Sequence, residues 1–210
     1  MAHERTRIRR LPKRGVYERD AIEAILDEAL VCHLGFVADG HPVVTPTLFA
    51  RVGDRVYVHG SAASRTLGKL AGGVEVCLTV TLVDALVLAR SAFHHSVNYR
   101  SAMLFGRAER LNDPAQKLSA LEAFTEKLVP GRWADVRPPT EQELKGTSVL
   151  SMPLDEVSAK VRTGPPLDDE PDYELETWAG VVPLTLARGL PLPDSRLATG
   201  TPLPPYLVDS

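Results

Sequence analysis

The sequence predicts a mainly β domain with flanking helices, an α+β chain whose strands pair antiparallel and close into a barrel. Three observations carry this. The hydrophobic spacing switches from helical to alternating near residue 30. Turns of hairpin length join the strands that follow. No self-similarity occurs at periods of about 20–50 residues, which excludes solenoids and propellers.

Residues 18–30 form the first helix, because Ala21, Ile22, Ile25, Leu26 and Ala29 make one apolar stripe. Residues 31–37 are apolar and partly β-branched, and Asp39-Gly40 is a hairpin signal. Residues 43–52 return as the second strand, Gly53-Asp54 turns, and residues 55–59 make the third. In that strand Val56 and Val58 face one side, while Arg55, Tyr57 and His59 face the other. Residues 61–70 are a short helix ended by Gly72-Gly73. Residues 74–88 supply one or two β-branched strands and residues 99–111 another. Asp113-Pro114 opens a second amphipathic helix, with Asp as N-cap and Pro in the first turn; it stops at Pro130-Gly131. A short helix at 140–145 and two strands at 148–154 and 157–162 complete the body. The acidic segment 168–176 reads as a solvated loop.

Composition narrows the function classes. At 44% hydrophobic residues the 210-residue chain can build a core. No apolar run approaches the ~20 residues of a membrane-spanning helix, so no membrane role is expected. The basic start lacks a following apolar region, so no secretory signal is expected. Cys32 and Cys77 sit in strand-like runs and read as buried thiols of a cytoplasmic protein. A net charge of −3 argues against nucleic acid as a partner. The basic cluster within residues 5–19 could meet an anionic surface, but it reads better as a solvated arm. Nine of the 17 prolines fall between residues 165 and 205, marking an irregular C-terminal stretch.

Common catalytic motifs are absent: there is no dinucleotide fingerprint, phosphate loop, zinc-protease motif or nucleophile elbow. No metal site is expected, since the adjacent His94 and His95 would point to opposite sides. Four segments remain. In Tyr57-Val58-His59-Gly60-Ser61-Ala62-Ala63-Ser64-Arg65 a strand end, a Gly/Ser turn and a helix start suit a phosphate. Ser61 and Ser64 add hydroxyls, and Arg65 and Lys69 add charge. The competing reading makes Ser61 a cap and Arg65 a solvated cation. Val44-Thr45-Pro46-Thr47 implies a sheet edge or bulge, because proline lacks a ladder donor; Thr47 and nearby backbone would then be free to face a ligand. Asn98-Tyr99-Arg100-Ser101 enters a strand, and Trp178 could be either core or site.

These segments, taken together, resemble a known family. Ile25-Leu26, Pro42 with Pro46, Tyr57-Val58-His59-Gly60 with Ser64-Arg65, and Tyr99-Arg100-Ser101 leading to Phe105-Gly106 come first. Pro130-Gly131-Arg132, Glu143-Leu144 with Thr147-Ser148-Val149, residues 158–164, and Trp178-Ala179-Gly180 with Pro183 follow in family order. The chain is similar to the pyridoxamine 5′-phosphate oxidase-like, FMN-binding split-barrel proteins. Within them it resembles the flavin-nucleotide-binding and 5-nitroimidazole-resistance branch over residues 17–184.

The resemblance implies a six-stranded antiparallel split β-barrel that works as a homodimer, with FMN at the subunit interface. It implies an arm at 1–16, a flavin domain at 17–184 and a proline-rich tail at 185–210 that drapes over the dimer or stays mobile. Thr45, Pro46 and Thr47 would run beside the flavin ring. Val58 and His59 would lie near the ring or ribityl chain, and Ser64 and Arg65, helped by Ser61 and Lys69, would hold the phosphate. Ser101 would stand where the oxidases place a flavin-contacting glutamine, flanked by Arg100; Trp178 and Lys160 are family positions without an assigned role. Thr66 replaces the lysine that follows the Ser-Arg pair in vitamin B6 oxidases, and their C-terminal arginine–tryptophan motif has no counterpart here. The implied function is FMN-dependent oxidoreduction of a small planar substrate, nitroaromatic- or pyridoxine-like, with His59 as proton donor. The alternatives are a flavin-binding module without turnover, and a haem or deazaflavin protein; the haem reading needs an axial ligand, for which the candidates His94 and His95 are better explained as loop residues.

Overall fold

The computed structural model describes residues 4–208. In chain order the elements are β1 (Gly15–Val16), α1 (Arg19–Glu28), β2 (Val31–Ala38), β3 (His41–Val52), β4 (Arg55–Ser61), α2 (Arg65–Ala71) and β5 (Glu75–Leu88). They continue with β6 (Ser96–Arg107), β7 (Glu109–Arg110), α3 (Pro114–Leu128), α4 (Glu141–Gly146), β8 (Thr147–Pro153), β9 (Glu156–Arg162) and β10 (Gly180–Pro183). Every strand pair is antiparallel, in the order β1-β9-β6-β5-β2-β3-β4-β8-β7, with β10 added to β5. The fold is the expected split barrel. The strand count differs: three short strands, β1, β7 and β10, extend a body of seven longer ones.

Local chemistry explains the main joints. Asp39 and Gly40 both adopt left-handed backbone (φ 52 and 80), the two-residue turn whose twist matches paired strands, and Ala38 pairs with His41 across it. The expected one or two strands at 74–88 form one 14-residue strand, Glu75–Leu88, with a register shift between Val83 and Ala85. Asp113 caps α3, its carboxylate accepting from the Ala115 N–H at 3.2 Å. Thr140 and Glu143 form a capping box on α4. The apolar stripe of α1 (Ile22, Ile25, Leu26) is buried on the inner faces of the sheet, against a core including Leu34, Leu78 and Leu104.

The split arises at one hairpin. β3 pairs with β4 only from Phe49 to Val52; residues 41–48 stay with β2, and residues 59–61 follow β8. Pro42 and Pro46 lie on the stretch of β3 that β4 has left, where no second neighbour requires their missing N–H groups. Helix α3 closes this fork from outside. Lys127 places its ammonium 3.5 Å from the centroid of the Phe49 ring and donates to the Leu26 carbonyl at 2.9 Å.

The termini differ from expectation. Arg5 pairs with Glu75 at 3.0 Å and with Glu156, and its guanidinium lies over Phe105, so the basic arm is docked. Its end becomes β1, with Gly15 opposite Lys160. Asp168, read as part of a solvated loop, has a fully enclosed side chain that accepts from Arg90 Nη1 at 3.1 Å. The tail folds back on its own chain. Arg188 donates to the Leu128 carbonyl at 2.8 Å, the Tyr206 hydroxyl donates to Asp135 at 2.6 Å, and the Tyr206 ring lies over Gly131. Residues 1–3 and 209–210, the ends of the expected arm and tail, lie outside the described residues.

The core beneath the fork has its own pH signature. Burial lowers Lys127 to about 8, outweighing the opposing pull of Asp27, and raises the Cys32 thiol to about 12. Above pH 8 the unfolded chain holds a proton that folded Lys127 has lost, so stability rises with pH. Above pH ~9, where an unfolded cysteine ionises, the buried thiol keeps its proton and reverses the sign. Urea titrations should therefore show stability rising from about pH 8 to 9 and then levelling. Cys32→Ala should extend the rise, and Lys127→Met should abolish it.

Candidate functional site

The fork makes a groove. Thr45, Pro46 and Thr47 form one wall on the unpaired edge of β3; His59, Gly60 and Ser61 form the other at the end of β4, which runs into the α2 turn. Thr45 and Thr47 are half-buried and Pro46 is exposed. The sheet ladder that would have joined these walls is absent, so the groove is bordered by polar backbone as well as side chains.

His59 is half-buried at the fork. Its ring meets Phe124 of α3 edge-on, with centroids 4.3 Å apart, and no hydrogen bond to it is seen among the described residues. Burial lowers its pKa, which favours the neutral imidazole with one N–H donor and one free lone pair. The Val58 side chain points into the core and is 3% exposed, so only its backbone could meet a ligand.

The turn after β4 is partly self-satisfied. Ala62 N–H donates to the Gly146 carbonyl, Ala63 N–H to Ser61 Oγ, and Ser64 N–H to the Ser61 carbonyl. α2 therefore begins at Arg65 rather than Ser61, with Ser64 as its cap, accepting from the Leu67 N–H at 3.3 Å. Each serine hydroxyl still has its own proton to donate. The Arg65 guanidinium is exposed and has no acidic partner among the described residues, which makes it a free anion fork beside the groove.

Three predicted residues are committed elsewhere. Lys69 pairs with Asp39 of the β2–β3 turn. Arg100 binds Asp84 at 2.7 Å and Glu28 through both carboxylate oxygens, an arrangement that raises its pKa and lowers that of Glu28; its work is to tie α1 to β5 and β6. The Ser101 hydroxyl donates to the Lys160 carbonyl at 3.2 Å, away from the groove of its own chain. Trp178 is 65% exposed and its ring lies against Gly180, where a Cβ would stand 3.0 Å from it, so any larger residue would push the ring aside.

Some residues went unremarked in the sequence. Arg162 is buried and donates to Asn98 and to the Gly164 and Pro165 carbonyls, with Arg14 and Lys13 lining the adjacent cleft. It falls within the family stretch 158–164, but in a strand that also carries Ser158 and Lys160 nothing local marks its burial.

The comparisons with known proteins agree with this geometry. The family model described as pyridoxamine 5'-phosphate oxidase matches residues 18–161. The structure of the flavocytochrome Anf3 from Azotobacter vinelandii is similar at 44% identity and a TM-score of 0.92, covering 99% of this chain and 96% of that one. The FAD and heme binding protein from Mycobacterium smegmatis is similar at 40% identity and a TM-score of 0.90, covering 93% of this chain and 96% of that one. No curated protein sequence matches. No helix among the described residues is long and apolar enough to cross a membrane. With its antiparallel split barrel and a family match over most of its length, the chain belongs to the pyridoxamine 5'-phosphate oxidase-like family.

Proposed function

We propose that the protein is a homodimeric, cytoplasmic flavin- and haem-binding oxidoreductase acting on a small planar acceptor. The observation that carries the flavin is the free Arg65 fork at the mouth of a groove whose walls are the parted strands β3 and β4. Arg65, with the hydroxyls of Ser61 and Ser64, holds the phosphate; Thr45, Pro46 and Thr47 flank the ring; His59 stands at the groove as a neutral imidazole able to give or take a proton at one nitrogen. The flavin supplies hydride chemistry and the haem one-electron chemistry, while the chain binds, orients and shields them.

The family resemblance implies FMN. The 40% identical FAD and heme binding protein favours FAD instead, and together with the 44% identical flavocytochrome it supports haem as a second group. The dimer is supported by the outer face of β2 and β3, where Val31, Val44 and Leu48 are exposed in a row that an isolated protomer leaves in water. Two cysteines without a disulfide fit a reducing compartment.

The protein as isolated should carry both a flavin and a haem spectrum, and mass analysis of the released flavin should give FAD; FMN would correct the cofactor, and a colourless protein that takes up neither would overturn the reading. Arg65→Ala should weaken flavin binding roughly tenfold or more, the scale of a lost charge-assisted phosphate contact, while Arg196→Ala should not. Equal effects would remove the phosphate role. The His59 ring should titrate by NMR below ~6.5, the ordinary histidine value, and Phe124→Ala should move it back up by admitting water.

A further inference from the structure

The basic arm and the last residue of β9 meet in a cleft that the flavin groove does not use. The arm makes a single 3-10 turn, Pro12–Arg14. It opens after Leu11, which adopts left-handed backbone (φ 57), and closes where the Gly15 N–H donates to the Pro12 carbonyl. Gly15 then pairs with Lys160, which fixes the turn beside the end of β9. Lys13 and Arg14 from the turn, and Arg162 from the strand, line one cleft of about 290 Å³. Val161, Pro165 and Leu167 supply its apolar lining.

Arg162 is the unusual member. It is 7% exposed, and it donates through Nη1 to the Asn98 side-chain oxygen and the Gly164 carbonyl, and through Nη2 to the Pro165 carbonyl. A guanidinium has five N–H groups, so these three acceptors leave the Nε–H and one Nη2–H for a ligand. All three acceptors are neutral, and burial and the nearby Arg14 both push the Arg162 pKa down. Lys13 and Arg14 also have no acidic partner among the described residues. Elsewhere the fold gives its cations carboxylates, as at Arg5, Arg51 and Arg100. Here three cations share one cleft without any. A buried cation lacking a counter-charge is costly, and an anion in the cleft would offset that cost.

The charge selects the class of anion. A carboxylate brings one negative charge. A phosphate monoester brings about −1.5 to −2 near neutral pH and three strong acceptor oxygens. Three cations, one of them a guanidinium with open N–H groups, match the phosphate better. The apolar lining gives the organic part of the ester a surface to rest on.

We propose that this cleft is a second anion site, in which Arg162, Arg14 and Lys13 hold the phosphate of a small phosphomonoester and Val161, Pro165 and Leu167 meet its organic part. It is separate from the Arg65 groove of the same chain. β6, β5 and β2 lie between β9 and β3, which makes four strand spacings or ~19 Å along the sheet. The assignment needs neither the flavin nor the haem reading.

Phenyl phosphate is the probe, titrated by calorimetry into the full-length protein as isolated. Wild type should bind it at one site per chain and more tightly than benzoate. Arg162 can be read without substituting it, because its Nε–H resonance should shift as the probe is added. Arg14→Gln and Lys13→Gln should each weaken phenyl phosphate binding several-fold to roughly tenfold, the scale of a lost charge-assisted contact. Arg65→Ala should leave it unchanged. Absence of binding, benzoate binding as tightly as phenyl phosphate, or loss of binding in Arg65→Ala but not in Arg14→Gln would each overturn the site.

Discussion

The architecture depends on the parting of one hairpin. β3 and β4 share four register pairs and then part, residues 41–48 keeping only β2 as a neighbour and residues 59–61 only β8. An open backbone edge is a liability in a sheet, and here it is managed by two prolines and by α3. The same divergence produces the groove and sets His59 at its margin. Lys127 is where the fork is closed: an ammonium set over Phe49 and tied to a carbonyl of α1, with its charge weakened by burial.

Charge in this protein sorts into cations that are used up by the fold and cations that are not. Arg100, Arg51, Arg5 and Lys69 each have carboxylate partners, joining α1 to the sheet, the arm to the barrel, and the β2–β3 turn to α2. Arg65 has none among the described residues, and Arg162 has only carbonyls. Pairing surface ions adds little stability, so the first group is about geometry more than strength. The second group marks where an anion would find an undivided partner.

This division shows what could be read in the sequence. The helix at α1, the Asp39-Gly40 hairpin and the capped α3 were legible because their periodicity and turn chemistry are local. Pro46 announced the edge for the same reason. β1 and β10 were not legible: two- and four-residue strands carry no period, and their pairing is decided by partners far along the chain. Lys69 and Arg100 seemed available because a sequence shows a cation without its counter-ion. Trp178 was ambiguous until Gly180 was seen beneath it. The tautomer of His95 is set by a carbonyl four residues back, within a turn whose geometry no pattern encodes.

The groove and the exposed patch at the far end of β5 sit at different levels of one strand. Thr45 is level with Leu34 and Leu78, whereas Leu86, opposite Val97 and Val182, lies eight residues further along β5. At a strand rise of ~3.3 Å this is roughly 25 Å, a separation that a single protomer holds rigid through the longest ladder in the barrel. A protomer therefore cannot bring its own groove to that patch by a side-chain movement. Of the exposed apolar residues on the outer face of β2 and β3, Val31 and Leu48 lie on the side of Thr45 toward Leu86, whereas Val44 is level with Gly35 and Cys77, on the other side.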